Sequence, residues 1–220
     1  MQLPLTADAR LNAIVDVEIA ARGSWAPVDL AAAYLAGGAR FLQLRAKSLT
    51  GGQFLDLAWR VRDLTEAVGA RLIVNDRADI ARIVGAAGVH VGQDDLPPAA
   101  VRTILGDTAI VGLSTHDRNQ IERGVEEPVS YVAIGPVFET VTKTSGHVPV
   151  GLEGVRCAAS LARPRGLGVI AIGGITLSRA AGIIEAGATG VAVVADLLEG
   201  GDPEARVREY LARLNRAGKV

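Results

Sequence analysis

No disulfide can form within this chain, because Cys157 is the only cysteine in its 220 residues. That scarcity fits a reducing compartment, and a lone thiol in a helical stretch is expected as a small buried residue rather than a reactive one. Histidine is almost as rare. His90, His116 and His147 fall at no zinc-ligand spacing, and no Ser/His/Asp or Cys/His arrangement stands out. Excess charge is missing too: 23 Lys and Arg stand against 24 Asp and Glu, which leaves no basic footprint for nucleic acid. No apolar run reaches the length of a membrane span, and the opening "MQLPLTADAR" lacks the charged and apolar regions of a signal peptide. These absences predict a cytoplasmic protein that meets small molecules rather than nucleic acid or membrane, and a homo-oligomer is compatible with them.

What the chain has is apolar residues (49%) and 26 glycines, a globular composition at a length that suits one domain over residues 1–220. A chain of this size buries roughly 70% of its unfolded surface without staples. The apolar residues gather in eight short runs: "LNAIVDVEIA", "FLQLR", "LIVND", "GVHVG", "AIVGLS", "YVAIGP", "GVIAIGG" and "GVAVV". Nearly continuous, β-branched and ended by Gly or polar residues, they read as strands buried on both faces of a parallel sheet. Between them lie amphipathic segments such as "TGGQFLDLAWRVRDLTEAVG" and "LSRAAGIIEAG". In "GDPEARVREYLARLNRAG", Asp202 is placed to cap a last helix and Pro203 to begin it. A quasi-repeat of helix end, glycine turn and strand recurs in "AYLAGGARFLQL", "TEAVGARLIV", "IVGAAGVHV" and "IIEAGATGVAVV". Eight such units predict an α/β fold, a single-domain (β/α)8 TIM barrel, with an open doubly wound sheet as the alternative.

In barrels of this kind chemistry sits at the carboxyl ends of the strands, so the polar residues that end each run are the candidates. "QLRAK" presents Gln43, Arg45 and Lys47 at every second position, on one face of an extended segment. Two cations beside an amide suit a polyphosphate next to a heterocycle edge, although an ion pair with a nearby carboxylate gives the same pattern. "VNDR" and "VGQDD" place Asp76 and Asp95 about one βα repeat apart. A carboxylate pair beside phosphate-binding cations suits Mg²⁺, whereas helix capping is the plainer role for both. Asp94 reads as a cap or a solvated neighbour. "GLSTH" offers Ser114 as a phosphate donor and His116 for proton transfer or an ordinary loop role. His90 faces away from Val89 and Val91, as a polar residue of the barrel lumen or as a substrate contact.

The glycines of "AIGGI" and the turn after "GVAVV" end the seventh and eighth runs, where barrels commonly bind a phosphate through backbone N–H groups. Between the two phosphate regions lies "IGPVFETVTK". In an extended loop Thr140 and Thr142 share a face and Lys143 takes the other. The threonines can address one substrate while the lysine addresses the diphosphate of a second. The following "TSGHVPV" allows the loop to close as a lid; an exposed polar loop is the alternative.

From "FLQLRAK" through "LIVNDRADIA", "GVHVGQDD", "GLSTH", "IGPVFETVTK", "VGLEGV" and "AIGGI" to "GVAVV", the order and spacing of these motifs resemble the thiamine phosphate synthase family. The resemblance implies a (β/α)8 barrel that joins a hydroxymethylpyrimidine diphosphate to a thiazole phosphate, releasing pyrophosphate. By position, Gln43, Arg45, Lys47, Asn75, Ser114 and Lys143 would hold the pyrimidine diphosphate, and Asp76 and Asp95 would ligate Mg²⁺. Thr140, Thr142, Gly174 and the backbone at Val194 and Ala195 would hold the thiazole phosphate. Arg45, Lys47 and Lys143 would stabilise the leaving group in a dissociative substitution, which needs no protein nucleophile. Ala195 stands where the family usually has Ser, and Asp196 beside it is expected to point away, capping the next turn. The first run is also longer than the family's usual opening. A related thiazole tautomerase relying on a histidine at the position of His116, and a silent binder of thiamine precursors, are the other readings; intact "TVTK" and "GQDD" favour the synthase.

Overall fold

The computed structural model describes residue 5 and residues 7–140 and 146–217. Eight parallel strands run β1 (Leu11–Asp16), β2 (Phe41–Arg45), β3 (Arg71–Asn75), β4 (Gly88–Val91), β5 (Ile110–Thr115), β6 (Tyr131–Ile134), β7 (Gly168–Ile172) and β8 (Gly190–Val193). Each pairs with the next, and β8 pairs back onto β1 through Asn12 and Ala192, so the sheet closes. The open doubly wound alternative is thereby excluded. The helices are α1 (Val17–Arg22), α2 (Pro27–Ala36), α3 (Gly51–Ala67), α4 (Ala78–Val84), α5 (Pro98–Leu105), α6 (Arg118–Gly124), α7 (Gly151–Ala162), α8 (Leu177–Glu185) and α9 (Pro203–Ala217).

Strand alternation divides the buried residues into two shells. Leu42, Leu44, Val74, Val89, Val111, Val132, Val169 and Val191 face outward, with Tyr34, Val61, Ile121 and Tyr210 in the same core. Phe41, Ile73, Ile110, Tyr131 and Ile170 fill the lumen. Full burial of such a side chain contributes about 1.5–3 kcal/mol. The same register carries the lumen face up to the mouth: Gln43 lies beside Ile73, Asn75 beside His90, and Ser114 beside Ala133.

The first run does not stay extended through residue 20 as its β-branched residues suggest. The Asp16 carboxylate accepts the backbone N–H groups of Glu18 (3.0 Å) and Ile19 (3.1 Å), and that cap turns "VEIAAR" into the six-residue α1. Local capping defeats β-propensity here, since Glu, Ala and Arg are good helix formers. At the other end of the chain Asp202 does accept from the N–H of Ala205 (2.9 Å), and Pro203 begins α9. Thr50 and Gln53 form a reciprocal capping box at the start of α3. Cys157 sits in α7 but is half-buried, not fully buried, with Arg118 Nη1 3.8 Å from its sulfur.

Candidate functional site

The carboxyl end of β2 meets that of β1. Arg45 forms an ion pair with Asp16, a residue that the motif reading passed over because it sits in the long first run. Its signal was its position: Asp16 ends a buried strand and its register partner is Arg45. Lys47 lies just past the strand and pairs with Asp76 at 3.0 Å, its side chain half exposed while that of Asp76 is mostly buried. Both cations therefore hold carboxylates at the mouth. Gln43 and Asn75 are 4% and 7% exposed, on lumen positions of β2 and β3.

Asp76 adopts a left-handed backbone conformation, φ 63°, uncommon outside glycine but tolerated by Asp. Its N–H donates to the carbonyl of His90 across β4 (2.8 Å). Burial pushes its carboxyl above the usual range; Lys47 pulls it down, and Asp95 pushes it up again. Asp95 reaches the same place from the β4 turn, where its Oδ2 accepts the N–H of Gly92 (2.8 Å). Neither carboxylate caps the following helix: Arg77 precedes α4 and Pro97 precedes α5, and neither makes a side-chain cap. Asp94 is exposed. Among the described residues no group of three His, Cys, Asp or Glu could hold a metal. Mg²⁺, however, characteristically takes one or two carboxylates together with waters and substrate phosphate. Two mutually repelling carboxylates past the ends of neighbouring strands fit that requirement.

In the lumen, His90 Nδ1 lies 3.0 Å from the Tyr131 hydroxyl and Nε2 lies 2.8 Å from Ser114 Oγ. Burial pushes the Tyr131 hydroxyl far above its ordinary pKa, so it stays protonated. The imidazole therefore bridges the Tyr131 and Ser114 hydroxyls, each of which can donate or accept. Gly112 makes the arrangement possible: a Cβ there would lie 2.1 Å from Tyr131 Cζ and 2.5 Å from His90 Nδ1. His90 is thus a lumen residue that orients Ser114. His116 donates from Nδ1 to the Gly135 carbonyl (2.5 Å) and stacks on His147 with centroids 3.9 Å apart.

The far side of the mouth is built from backbone. The N–H groups of Val137 and Phe138 donate to the carbonyls of Ile172 (2.9 Å) and Gly173 (3.1 Å), stitching the β6 turn to the β7 turn. Gly174 has φ 63°, and a Cβ on it would meet the Glu139 carbonyl at 2.4 Å. Only glycine fits that close approach. Arg179 of α8, which sequence reading missed, lies 4.5 Å over the Phe138 ring and donates to the Gly174 carbonyl (2.8 Å). Thr140 is described at the start of the loop; Thr142 and Lys143 lie outside the described residues. After β8, Val194 leads into the 3-10 segment Ala195–Gly201. Asp196 does turn aside, though it does not cap: its carboxylate accepts from Tyr210 and pairs with Arg206 (2.9 Å) of α9. A cavity of about 420 Å³ is lined by Arg71, Arg82, Leu105 and Ile110 and opens at the amino ends of the strands, away from these groups.

A closed eight-stranded barrel with charged strand ends and glycine turns at its carboxyl mouth belongs to the (β/α)8 enzymes. The chain is a member of the thiamine monophosphate synthase family, whose model matches residues 11–197. It is 42% identical over 188 residues to the thiamine-phosphate synthase of Roseiflexus sp. (strain RS-1), covering 86% of this chain and 78% of that one. To the thiamine-phosphate synthase of Chloroflexus aurantiacus it is 37% identical over 212 residues, 96% of this chain and 95% of the relative. Among solved structures, a thiamine phosphate pyrophosphorylase from Pyrococcus furiosus superposes with a TM-score of 0.86 at 25% identity, over 96% of this chain and 98% of that one. Among the described residues no helix is long and apolar enough to cross a membrane.

Proposed function

We propose that residues 1–220 act as one cytoplasmic catalytic domain that condenses a 4-amino-2-methylpyrimidine carrying a 5-diphosphooxymethyl group with a thiazole phosphate. The products are thiamine phosphate and pyrophosphate. The observation that carries this reading is the pairing of Arg45 with Asp16 and of Lys47 with Asp76, beside Asp95. Cations held by carboxylates at a barrel mouth are placed to exchange those partners for a diphosphate and its counter-ion.

In this reading Gln43 and Asn75 address the pyrimidine edge, with Ser114 donating to the diphosphate under the control of His90. Arg45, Lys47 and Lys143 hold negative charge on the departing pyrophosphate, where preorganised cations act most strongly. Asp76 and Asp95 would hold Mg²⁺, which when bound neutralises charge on the diphosphate oxygens. The C–O bond to the diphosphate breaks first, and the pair of electrons leaves with pyrophosphate. The aminopyrimidine shares the resulting positive charge on its methylene carbon until the thiazole nitrogen supplies the new bond. Thr140, Thr142, Gly174 and the backbone at Val194 and Ala195 hold the thiazole phosphate so that its nitrogen faces that carbon. Incubating the full chain with both substrates and Mg²⁺ tests this directly. Thiamine phosphate and pyrophosphate should appear in equal amounts, and neither without the thiazole phosphate. Absence of thiamine phosphate under those conditions contradicts the reading.

A further inference from the structure

Tyr210 of α9 is fully buried, yet its hydroxyl stands between two mouth turns. It lies 2.5 Å from Asp196 Oδ2 and 3.4 Å from the Ile175 carbonyl. One O–H supplies one proton, and the short contact to the carboxylate takes it, with the carbonyl at the outer limit of a hydrogen bond. Ile175 directly follows Gly174, and Asp196 directly follows Ala195. The same α9 sends Arg206 to the Asp196 residue: Nη2 reaches Oδ2 at 2.9 Å, and Nε reaches Oδ2 at 3.2 Å and the main-chain carbonyl at 3.1 Å. Arg206 thus grips the side chain and the backbone of one residue. The Asp196 and Arg206 side chains are only 12% and 22% exposed, so water screens this pair weakly.

Asp196 is a poor neighbour for an anion unless its charge is compensated. Its two α9 partners both draw it away from the strand ends, and the fork on its carbonyl fixes the backbone that follows Val194 and Ala195. We propose that Tyr210, Arg206 and Asp196 are positioning residues for the thiazole-phosphate half of the site. They tie the β8 turn to α9 and neutralise the carboxylate next to the phosphate. The inference rests on the proposed placement of that phosphate at these two turns.

The test is a table of Michaelis constants for both substrates, with kcat and thermal midpoint recorded for each variant. Arg206→Gln should raise the constant for thiazole phosphate about tenfold or more and leave that for pyrimidine diphosphate within twofold. Arg206→Lys should recover part of the loss. Asp196→Asn added to Arg206→Gln should recover more, because the uncompensated charge is gone. Tyr210→Phe keeps the ring and should raise the thiazole phosphate constant several-fold. Parallel rises in both constants that follow the thermal midpoint would mean a merely structural role and overturn the proposal. Ala195→Asp separates the underlying placement: it should abolish thiazole phosphate binding wherever the α9 residues stand. If Ala195→Asp acts and the α9 variants do not, the inference fails and the placement survives. If none of them acts, both fail.

Discussion

The two sides of the barrel mouth are made of different material. From β1 to β4 the strand ends carry formal charges, Asp16, Arg45, Lys47, Asp76 and Asp95, balanced against one another across neighbouring strands. From β6 to β8 the turns are mostly backbone and glycine; of the formal charges nearby, Asp196 pairs with Arg206 of α9, and Arg179 of α8 donates to the Gly174 carbonyl. Charge-rich side chains can trade partners and share a divalent ion, which suits a group that must leave. A backbone cradle cannot change its charge, and its value lies in shape, which suits a group that must stay put while it reacts.

The largest break in that contrast should come from Asp76→Asn. Turnover should fall about a hundredfold or more, roughly 2.7 kcal/mol or more of transition-state stabilisation, while the fold is kept. The pH behaviour of stability checks the same residue. Burial and Asp95 raise the Asp76 carboxyl above its ordinary 3.8, so the folded state binds its proton more readily than the unfolded state does. That contribution is fully present below pH 3.8 and fades as pH rises through the elevated folded value. Stability of the unliganded protein should therefore show this loss as pH rises above 3.8 in wild type and not in Asp76→Asn. Mg²⁺ and the proton compete for the carboxylate, so Mg²⁺ affinity should fall over the same range as pH falls. Equal Mg²⁺-dependent activity in Asp76→Asn and Asp95→Asn relative to wild type removes the metal from the charged side.

Next in size is Gly112→Ala, which sharpens how the lumen supports Ser114. The new methyl must displace Tyr131 or His90, and overpacking of this kind costs about 1–3 kcal/mol. A lowered thermal midpoint with a raised constant for pyrimidine diphosphate is expected; an unchanged constant would separate His90 from substrate binding.

How much of this was legible follows the same divide. The eight runs were readable because strands buried on both faces must be apolar almost throughout, and Gly or a polar residue must end them. Arg45, Asp76 and Asp95 stood out since charged residues at the end of such a run are exceptions. Asp16 did not, because its two roles, capping α1 and pairing Arg45, look in sequence like one polar residue inside a continuing strand. Arg179 and the Tyr210–Asp196–Arg206 cluster were illegible for another reason. Their contacts join α8 and α9 to mouth turns outside those helices, and helix periodicity reports burial but not hydrogen-bond partners.

Two smaller effects sharpen the backbone side. Ala195→Ser restores a hydroxyl near the proposed phosphate. A hydrogen bond to a charged group contributes roughly 1.5–3 kcal/mol at most, and a water already in place would reduce the gain, so the thiazole phosphate constant should fall by about tenfold or less. Smallest of all, His116→Gln should retain most synthase activity; loss of activity as complete as that in Lys143→Ala would favour a proton-transfer role for the imidazole.

The contrast itself is tested most directly by calorimetric binding of each substrate alone to wild type, Lys47→Ala and Ala195→Asp, with Mg²⁺ present. Lys47→Ala should weaken pyrimidine diphosphate about tenfold or more and leave thiazole phosphate unchanged, and Ala195→Asp should do the reverse. If each variant weakens both substrates equally, or if the two patterns are exchanged, the mouth is not divided into a charged side for the leaving group and a backbone side for the acceptor.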